Sequence, residues 1–326
     1  MKMSSIPYSR YLIYPVPWYS FLIVIGATLA VFLACRKEQR AGLPKDTVID
    51  LAFWIIPSGI IGARLYYVIF SWNQFSVDFL SVFRVWEGGL AIYGGVIAGL
   101  IVLFLFARRR RLSALSICDV IVPGLALAQC IGRWGNWFNI EAYGLSISDP
   151  SFCFFPIAVQ VPADQNAWHL ATFFYESVWD LLVFLFLTGL WHKPYRKRGD
   201  MFFFYLFLYA AGRLVIEEMR LDSLYASSVR ISQLLSVIFC VSVLSYFVFS
   251  ARRMHVLSGW MNLFLFPGAV LVSIFLLFCM ITGLFLYTLA IFQILLILLL
   301  YALFMILCLS LVYHRFIRAE VRHADI

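Results

Sequence analysis

Charge is scarce in this chain of 326 residues: 13% are Asp, Glu, Lys or Arg, while 63% are hydrophobic. Soluble proteins carry about 25% charged and roughly 45–50% apolar residues, so a water-soluble domain is excluded. Histidine is rarer still, at five residues, and none stands at metal-ligand spacing. The seven cysteines form no C-x-x-C pair. Neither a zinc site nor a disulfide framework follows, and no metal and no cofactor is expected. Acidic residues number 17 against 25 Lys and Arg, a net charge of +8. Nucleic-acid binding would need a contiguous basic face. Instead, 17 of the 25 cations sit in five short blocks, at 36–45, 108–111, 192–198, 252–253 and 314–322. No nucleic-acid partner is expected.

Long apolar runs are what the chain has in abundance. Each approaches the roughly 20 residues that cross a bilayer as helix. The runs predict helices at 17–35, 48–71, 89–107, 113–132, 170–191, 200–218, 231–251, 258–283 and 285–313. The basic blocks fall between alternate pairs of runs, the positive-inside pattern. Nine crossings with the N-terminus outside place every block, and the C-terminus, in the cytoplasm. The fold class expected is an all-α polytopic membrane protein. Its outward segments would be 1–16, 72–88, 133–169, 219–230 and a turn near 284.

Eight cations lie outside the basic blocks: Lys2, Arg10, Arg64, Arg84, Arg133, Arg213, Arg220 and Arg230. Five of these, Arg64, Arg133, Arg213, Arg220 and Arg230, fall in the outer half of the membrane or at its outer surface. Cations there run against the positive-inside trend, and an anion among them is the simplest reason. An isolated arginine at mid-bilayer costs roughly 2.5–3.5 kcal/mol on insertion scales, so it needs partners.

In "GRLVIEEMRLD" (212–222), Arg213, Glu217 and Arg220 are spaced i, i+4 and i+7 and share one helix face. They form either a buried ion ladder or a phosphate clamp whose guanidinium forks Glu217 holds in place. In "GRWGNWFNIEAYG" (132–144), Arg133 and Asn136 share a face, Asn139 and Glu141 add polar groups, and Gly144 permits a turn. "WEGGLAIYGGVIAGL" (86–100) has a small-xxx-small face at Gly95 and Gly99 and leaves Tyr93 at its outer end, as an interfacial anchor or a proton relay. Arg64 and Tyr67 lie one turn apart, and Tyr19 sits at the outer start of the first helix. Tyr175 and Glu176 open the fifth helix, with Asp180 four residues on. Both carboxylates need a partner, for which Arg64 or Arg230 are candidates.

Taken in order, "WEGGLAIYGGVIAG", "GRWGNWFNIEAYG", "FFYES", "GRLVIEEMRLDSL" and "RISQLLS" resemble the bacterial prolipoprotein diacylglyceryl transferases. The resemblance runs from about Trp18 to about residue 250. It implies a seven-helix membrane core at 1–254, with 255–326 a two-helix C-terminal extension. It also implies transfer of the diacylglyceryl group of phosphatidylglycerol to the lipobox cysteine of prolipoprotein signal peptides. Glycerol phosphate leaves and a thioether remains, without metal or cofactor. The enzyme would sit in the bacterial cytoplasmic (inner) membrane among membrane lipids, its active site toward the outer leaflet.

Carried over, the family's important positions are Tyr19, Arg133, Asn136, Asn139, Glu141, Gly144, Arg213, Glu217 and Arg220; Arg64, Tyr67, Tyr175 and Glu176 fall in matching motifs. Arg133 and Arg213 would stabilise the leaving phosphate, Asn136 and Asn139 orient the headgroup, and Glu141 and Glu217 hold the arginines. Tyr93 would relay the cysteine proton. Some members carry histidine where Tyr93 stands. The family's usual His-Pro before "YE" is Leu170–Ala171 here, with His169 one place earlier. A transporter or binding protein for an anionic solute is the alternative use of the same arginines.

Overall fold

The computed structural model describes residues 9–14, 16–76, 78–193, 196–223, 225–226, 229–254, 257, 259, 261–281 and 291–324. Among them the helices are α1 (Trp18–Glu38), α2 (Thr47–Phe70), the single turn α3 (Trp72–Phe75), α4 (Ile92–Arg110), α5 (Ala114–Asn139), α6 (Thr172–Trp191), α7 (Asp200–Met219), α8 (Ile231–Arg253), α9 (Phe266–Ile281) and α10 (Ile291–Ala324). Eight of the long helices are apolar and long enough to cross a membrane. The ninth, α7, is long enough but carries Asp200, Arg213, Glu217 and Glu218. Such a helix must pair its charges internally, so α7 is where chemistry is to be sought.

Three spans differ from the sequence expectation. Helix α10 runs through the basic block at 314–322 to Ala324 instead of ending at 313. Helix α5 continues seven residues past 132, so "RWGNWFN" forms its last two turns rather than an outer loop. Beyond it, 140–171 is a folded insertion. Its three-stranded antiparallel sheet has order β1 (Ser146–Ile147), β3 (Ala167–Leu170), β2 (Ala158–Val161). Val159 and Val161 of β2 are buried with Trp137, Ala171 and Phe173. Strands of two to four residues are too short for a period-2 signal to be separated from helix in so apolar a chain.

The chain falls into two compact units, one comprising residues 28–124 and the other the residues before 28 and after 124. In the 28–124 unit α2 packs on α4. A Cβ at Gly95 would lie 3.2 Å from the Gly59 carbonyl, and Gly62 and Gly94 abut directly, whereas Gly99 makes only ordinary contact with Ile55. The close approach therefore runs through Gly59 and Gly62 against Gly94 and Gly95.

In the other unit, α7 packs between α6 and α8, and α10 lies against both α7 and α8. Tyr313 of α10 donates to the buried Asp200 Oδ2 (2.8 Å), and Tyr301 shares a hydrogen bond with Ser273 of α9 (2.7 Å). The C-terminal helices are thereby tied by polar contacts to one another and to α7.

Candidate active site

Three helix ends meet in the larger unit. The C-terminal turns of α5 bring Arg133, the N-terminal turns of α6 bring Glu176 and Asp180, and the end of α7 brings Arg213, Glu217 and Arg220. A Cβ at Gly212 would fall on the Trp179 indole, whose N–H donates to the Leu208 carbonyl (2.9 Å). Ser177 joins α6 to α5, donating to Cys130 O (2.9 Å) and accepting from Trp134 Nε1 (3.1 Å).

The three guanidiniums converge on a single carboxylate. Glu176 receives Arg133 Nη1 (2.6 Å), Arg220 Nη1 (3.1 Å) and Arg213 Nη1. Glu217 pairs with Arg213 Nη2, as the i, i+4 spacing implied. Asp222 takes Arg220 in a fork, Nε to Oδ1 at 2.9 Å and Nη2 to Oδ2 at 2.7 Å. Arg133 Nε faces Asp180 Oδ2 at 3.8 Å.

The partners expected for Glu176 and Asp180 were Arg64 or Arg230, and the structure assigns neither. Arg230 pairs with Glu218, on a different face of α7, where Gln233 Nε2 also donates to Glu218 (2.9 Å). Arg64 lies in the 28–124 unit and donates to five backbone carbonyls: Val82 (2.9 Å), Gly88 (2.6 Å), Gly89 (3.1 Å), Ser81 (2.7 Å) and Arg84 (3.3 Å). It is buried, and its role there is to organise a loop. Gly89 has φ +72°, and a Cβ there would lie 2.7 Å from the Tyr67 ring. Tyr67 and Tyr93 belong to the same unit; Tyr67 donates to Gln74 (3.4 Å), and the Tyr93 ring lies 6.5 Å from Tyr66.

Glu141, expected to hold an arginine of the clamp, instead lies beside Arg10, whose Nε donates to Asn139 Oδ1 (3.2 Å). Partial desolvation pushes the Glu141 carboxyl up from its ordinary range; Arg10 opposes this, Asp222 adds to it, and the Asn139 amide opposes it again. Arg10, one of the eight cations outside the basic blocks, has no partner legible in the sequence, because Asn139 lies 129 residues away. Tyr19 packs against Gly135, where a Cβ would be 2.7 Å from its ring, and lies within electrostatic reach of Arg133 and Glu141. Asn136 is half-buried, its carbonyl accepting from the Glu141 amide (2.9 Å).

Gly144 is a packing point. A Cβ there would come within 2.7 Å of the Met219 carbonyl and 2.8 Å of Leu170 and Thr172 side chains. Its backbone bridges to Arg220, and the next amide, Leu145, donates to Met219 O (2.9 Å). This clip holds the end of α7 against the insertion. His169 completes it: Nδ1–H donates to Gly144 O, and Nε2 meets Asp164, both at 2.8 Å. Tyr175 donates to the Ile157 carbonyl. No group of three His, Cys, Asp or Glu able to hold a metal occurs among the described residues.

A helical membrane protein that gathers three arginines over buried carboxylates defines a class: a membrane-embedded handler of anionic groups. The particular family follows from comparison. The chain belongs to the prolipoprotein diacylglyceryl transferase family, whose sequence profile matches residues 9–249. It is 39% identical over 244 residues to the phosphatidylglycerol--prolipoprotein diacylglyceryl transferase of Streptococcus agalactiae serotype Ia, covering 74% of this chain and 95% of the relative. Proteins of the same name from Enterococcus faecalis and Limosilactobacillus reuteri are each 42% identical; the matches cover 73% and 71% of this chain and 88% and 86% of those proteins.

Proposed function

We propose that this protein transfers the diacylglyceryl group of phosphatidylglycerol to the lipobox cysteine of a prolipoprotein signal peptide. The cysteine sulfur attacks the glycerol carbon that bears the phosphodiester. A C–S bond forms and the C–O bond breaks, its electron pair staying on the departing glycerol phosphate, while the thiol proton is released. That step builds negative charge on phosphate, and fixed donors aimed at developing charge are the strongest catalytic device available.

One observation carries this reading. The arginines present the accessible side of the cluster, with side chains 17% (Arg133), 15% (Arg213) and 13% (Arg220) exposed, over Glu176 and Glu217 at 3% each. Carboxylates outnumber guanidiniums and Asp222, beside Arg220, is 48% exposed, but a headgroup approaching Arg133 and Arg213 meets their N–H groups before the buried Glu176 and Glu217. The three differ in what they have left to offer. Arg220 has Nε, Nη1 and Nη2 all committed to Glu176 and Asp222, so it orients Glu176. Arg133 Nη2 and Arg213 Nε have no partner among the described residues, which makes these two the phosphate donors. Asn136 and Tyr19 border the same side and would orient the headgroup, while Gly144 acts through the clip rather than by touching lipid.

By the positive-inside pattern, the arginine cluster faces the outer leaflet of the inner membrane, with the N-terminus outside and the C-terminus cytoplasmic. Residues 1–254 form the transferase core and 255–326 an extension of it. Arg133→Ala and Arg213→Ala, accumulating normally in membranes, should each abolish lipidation of a lipobox peptide in phosphatidylglycerol proteoliposomes. Near wild-type turnover in either variant overturns the phosphate clamp. Tyr93→Phe tests the proton relay separately: unchanged turnover removes the hydroxyl from the mechanism.

A further inference from the structure

Every arginine of the cluster has a carboxylate to itself besides the shared Glu176. Arg213 has Glu217 and Arg220 has Asp222, both within bonding distance. For Arg133 the corresponding group is Asp180, and here the pair is open. Arg133 Nε and Asp180 Oδ2 are both buried, lie 3.8 Å apart and make no hydrogen bond. Glu176 Oε2, 2.6 Å from Arg133 Nη1, is likewise outside hydrogen-bond geometry. A buried charge left without a hydrogen bond is costly, so two such atoms facing each other across a closable gap mark a contact made in another state of the site.

We infer that Asp180 is the positioning residue for Arg133. As negative charge builds on a phosphate held by Arg133 Nη1 and Nη2, the guanidinium lets go of Glu176 and its Nε closes onto Asp180 Oδ2. Asp180 thus receives the arginine as Glu176 loses it, keeping the planar fork aimed at the phosphate while charge builds on it. The groups within electrostatic reach of Arg133 include Glu176, Tyr209 and Arg220 besides Asp180, and Asp180 is the carboxylate that its Nε faces. The groups facing Asp180 from the packed helices include Arg133 and Cys130 of α5 and Tyr205 and Arg213 of α7, with Glu176 one turn away on α6. The Asp180 side chain is 5% exposed, so it acts through Arg133. The inference rests on the transferase assignment and adds to it an exchange of partners within the site.

Asp180→Asn removes the charge that receives Nε. A hydrogen bond between charged groups is worth about 1.5–3 kcal/mol, so kcat should fall about ten- to a hundredfold. KM for phosphatidylglycerol should move less than about threefold, because the contact forms only as charge develops. The deciding measurement is a double-mutant cycle with Arg133→Lys, whose ammonium has no Nε fork. In the full-length enzyme in proteoliposomes, Asp180→Asn should cost little in the Arg133→Lys background. An equal loss in both backgrounds, or a kcat within about twofold of wild type for Asp180→Asn alone, overturns the inference. Where Asp180→Asn fails to accumulate, the smaller Asp180→Ser carries the same expectation. Failure of the transferase assignment looks different: there the wild-type protein itself would lipidate no peptide in the same proteoliposomes.

Discussion

Glu176 is the point on which the site turns, and Glu176→Gln tests it. The carboxylate is ion-paired with Arg133 Nη1 at 2.6 Å, Arg220 Nη1 at 3.1 Å and Arg213 Nη1. Glutamine offers one acceptor oxygen, and its NH2 must face a guanidinium, donor against donor. Three cations then lose their common counter-charge at a position only 3% exposed. Removing one partner of a buried ion pair costs about 3–5 kcal/mol. At roughly 2 °C per kcal/mol for a chain of this size, the melting temperature in detergent should drop by roughly 6–10 °C. Transferase activity should vanish with it, because the guanidiniums splay apart. Asp222→Asn is the internal control. Asp222 is 48% exposed, and exposed ion pairs contribute about 0–1 kcal/mol, so its melting temperature should fall by about 2 °C at most. If Glu176→Gln melts and turns over like wild type, convergence on one carboxylate does not organise the site. If the two variants lose equal stability, the burial argument is wrong.

Three further outcomes follow from the geometry. Gly144→Ala drives a Cβ to within 2.7 Å of the Met219 carbonyl, so it should release the end of α7 and abolish activity, read as loss of peptide lipidation in an enzyme that still inserts. Arg64→Met leaves five carbonyls without their donor; it should cost about 3–5 kcal/mol of stability, seen as a lower detergent melting temperature, while Arg64→Lys recovers only part. Tyr313→Phe takes one donor from the buried Asp200, for an expected loss of about 1.5–3 kcal/mol. The same thermal assay reads it, and an unchanged melting temperature would show that α10 does not brace α7.

The difference between Arg64 and Arg213 shows how far residue patterns reach. Arg213 and Glu217 are one turn apart, and a period of 3.6 residues is enough to pair them. Arg64 is bound by carbonyls 17 to 25 residues away. Every residue carries a carbonyl, so no side-chain pattern marks those chosen. Glu176 posed the same difficulty. Its need for a cation was plain from its place in an apolar run, yet Arg133, 43 positions before it, and Arg213 and Arg220, 37 and 44 after it, answer that need through the packing of α5, α6 and α7. The insertion at 140–171 escaped notice because its strands are too short for alternation to show.

What the amino-acid order alone decided is the membrane class, the placement of the long helices and the arginines that oppose the inside-positive trend. Those depend on composition and on helical period, which are local properties. Apart from the Arg213–Glu217 pair, which cation meets which carboxylate, and that Gly144 clips the end of α7, came only with the folded chain. Burial sets those choices: once three helix ends exclude water, each charge must take the partner that packing brings within reach, whatever its distance along the sequence.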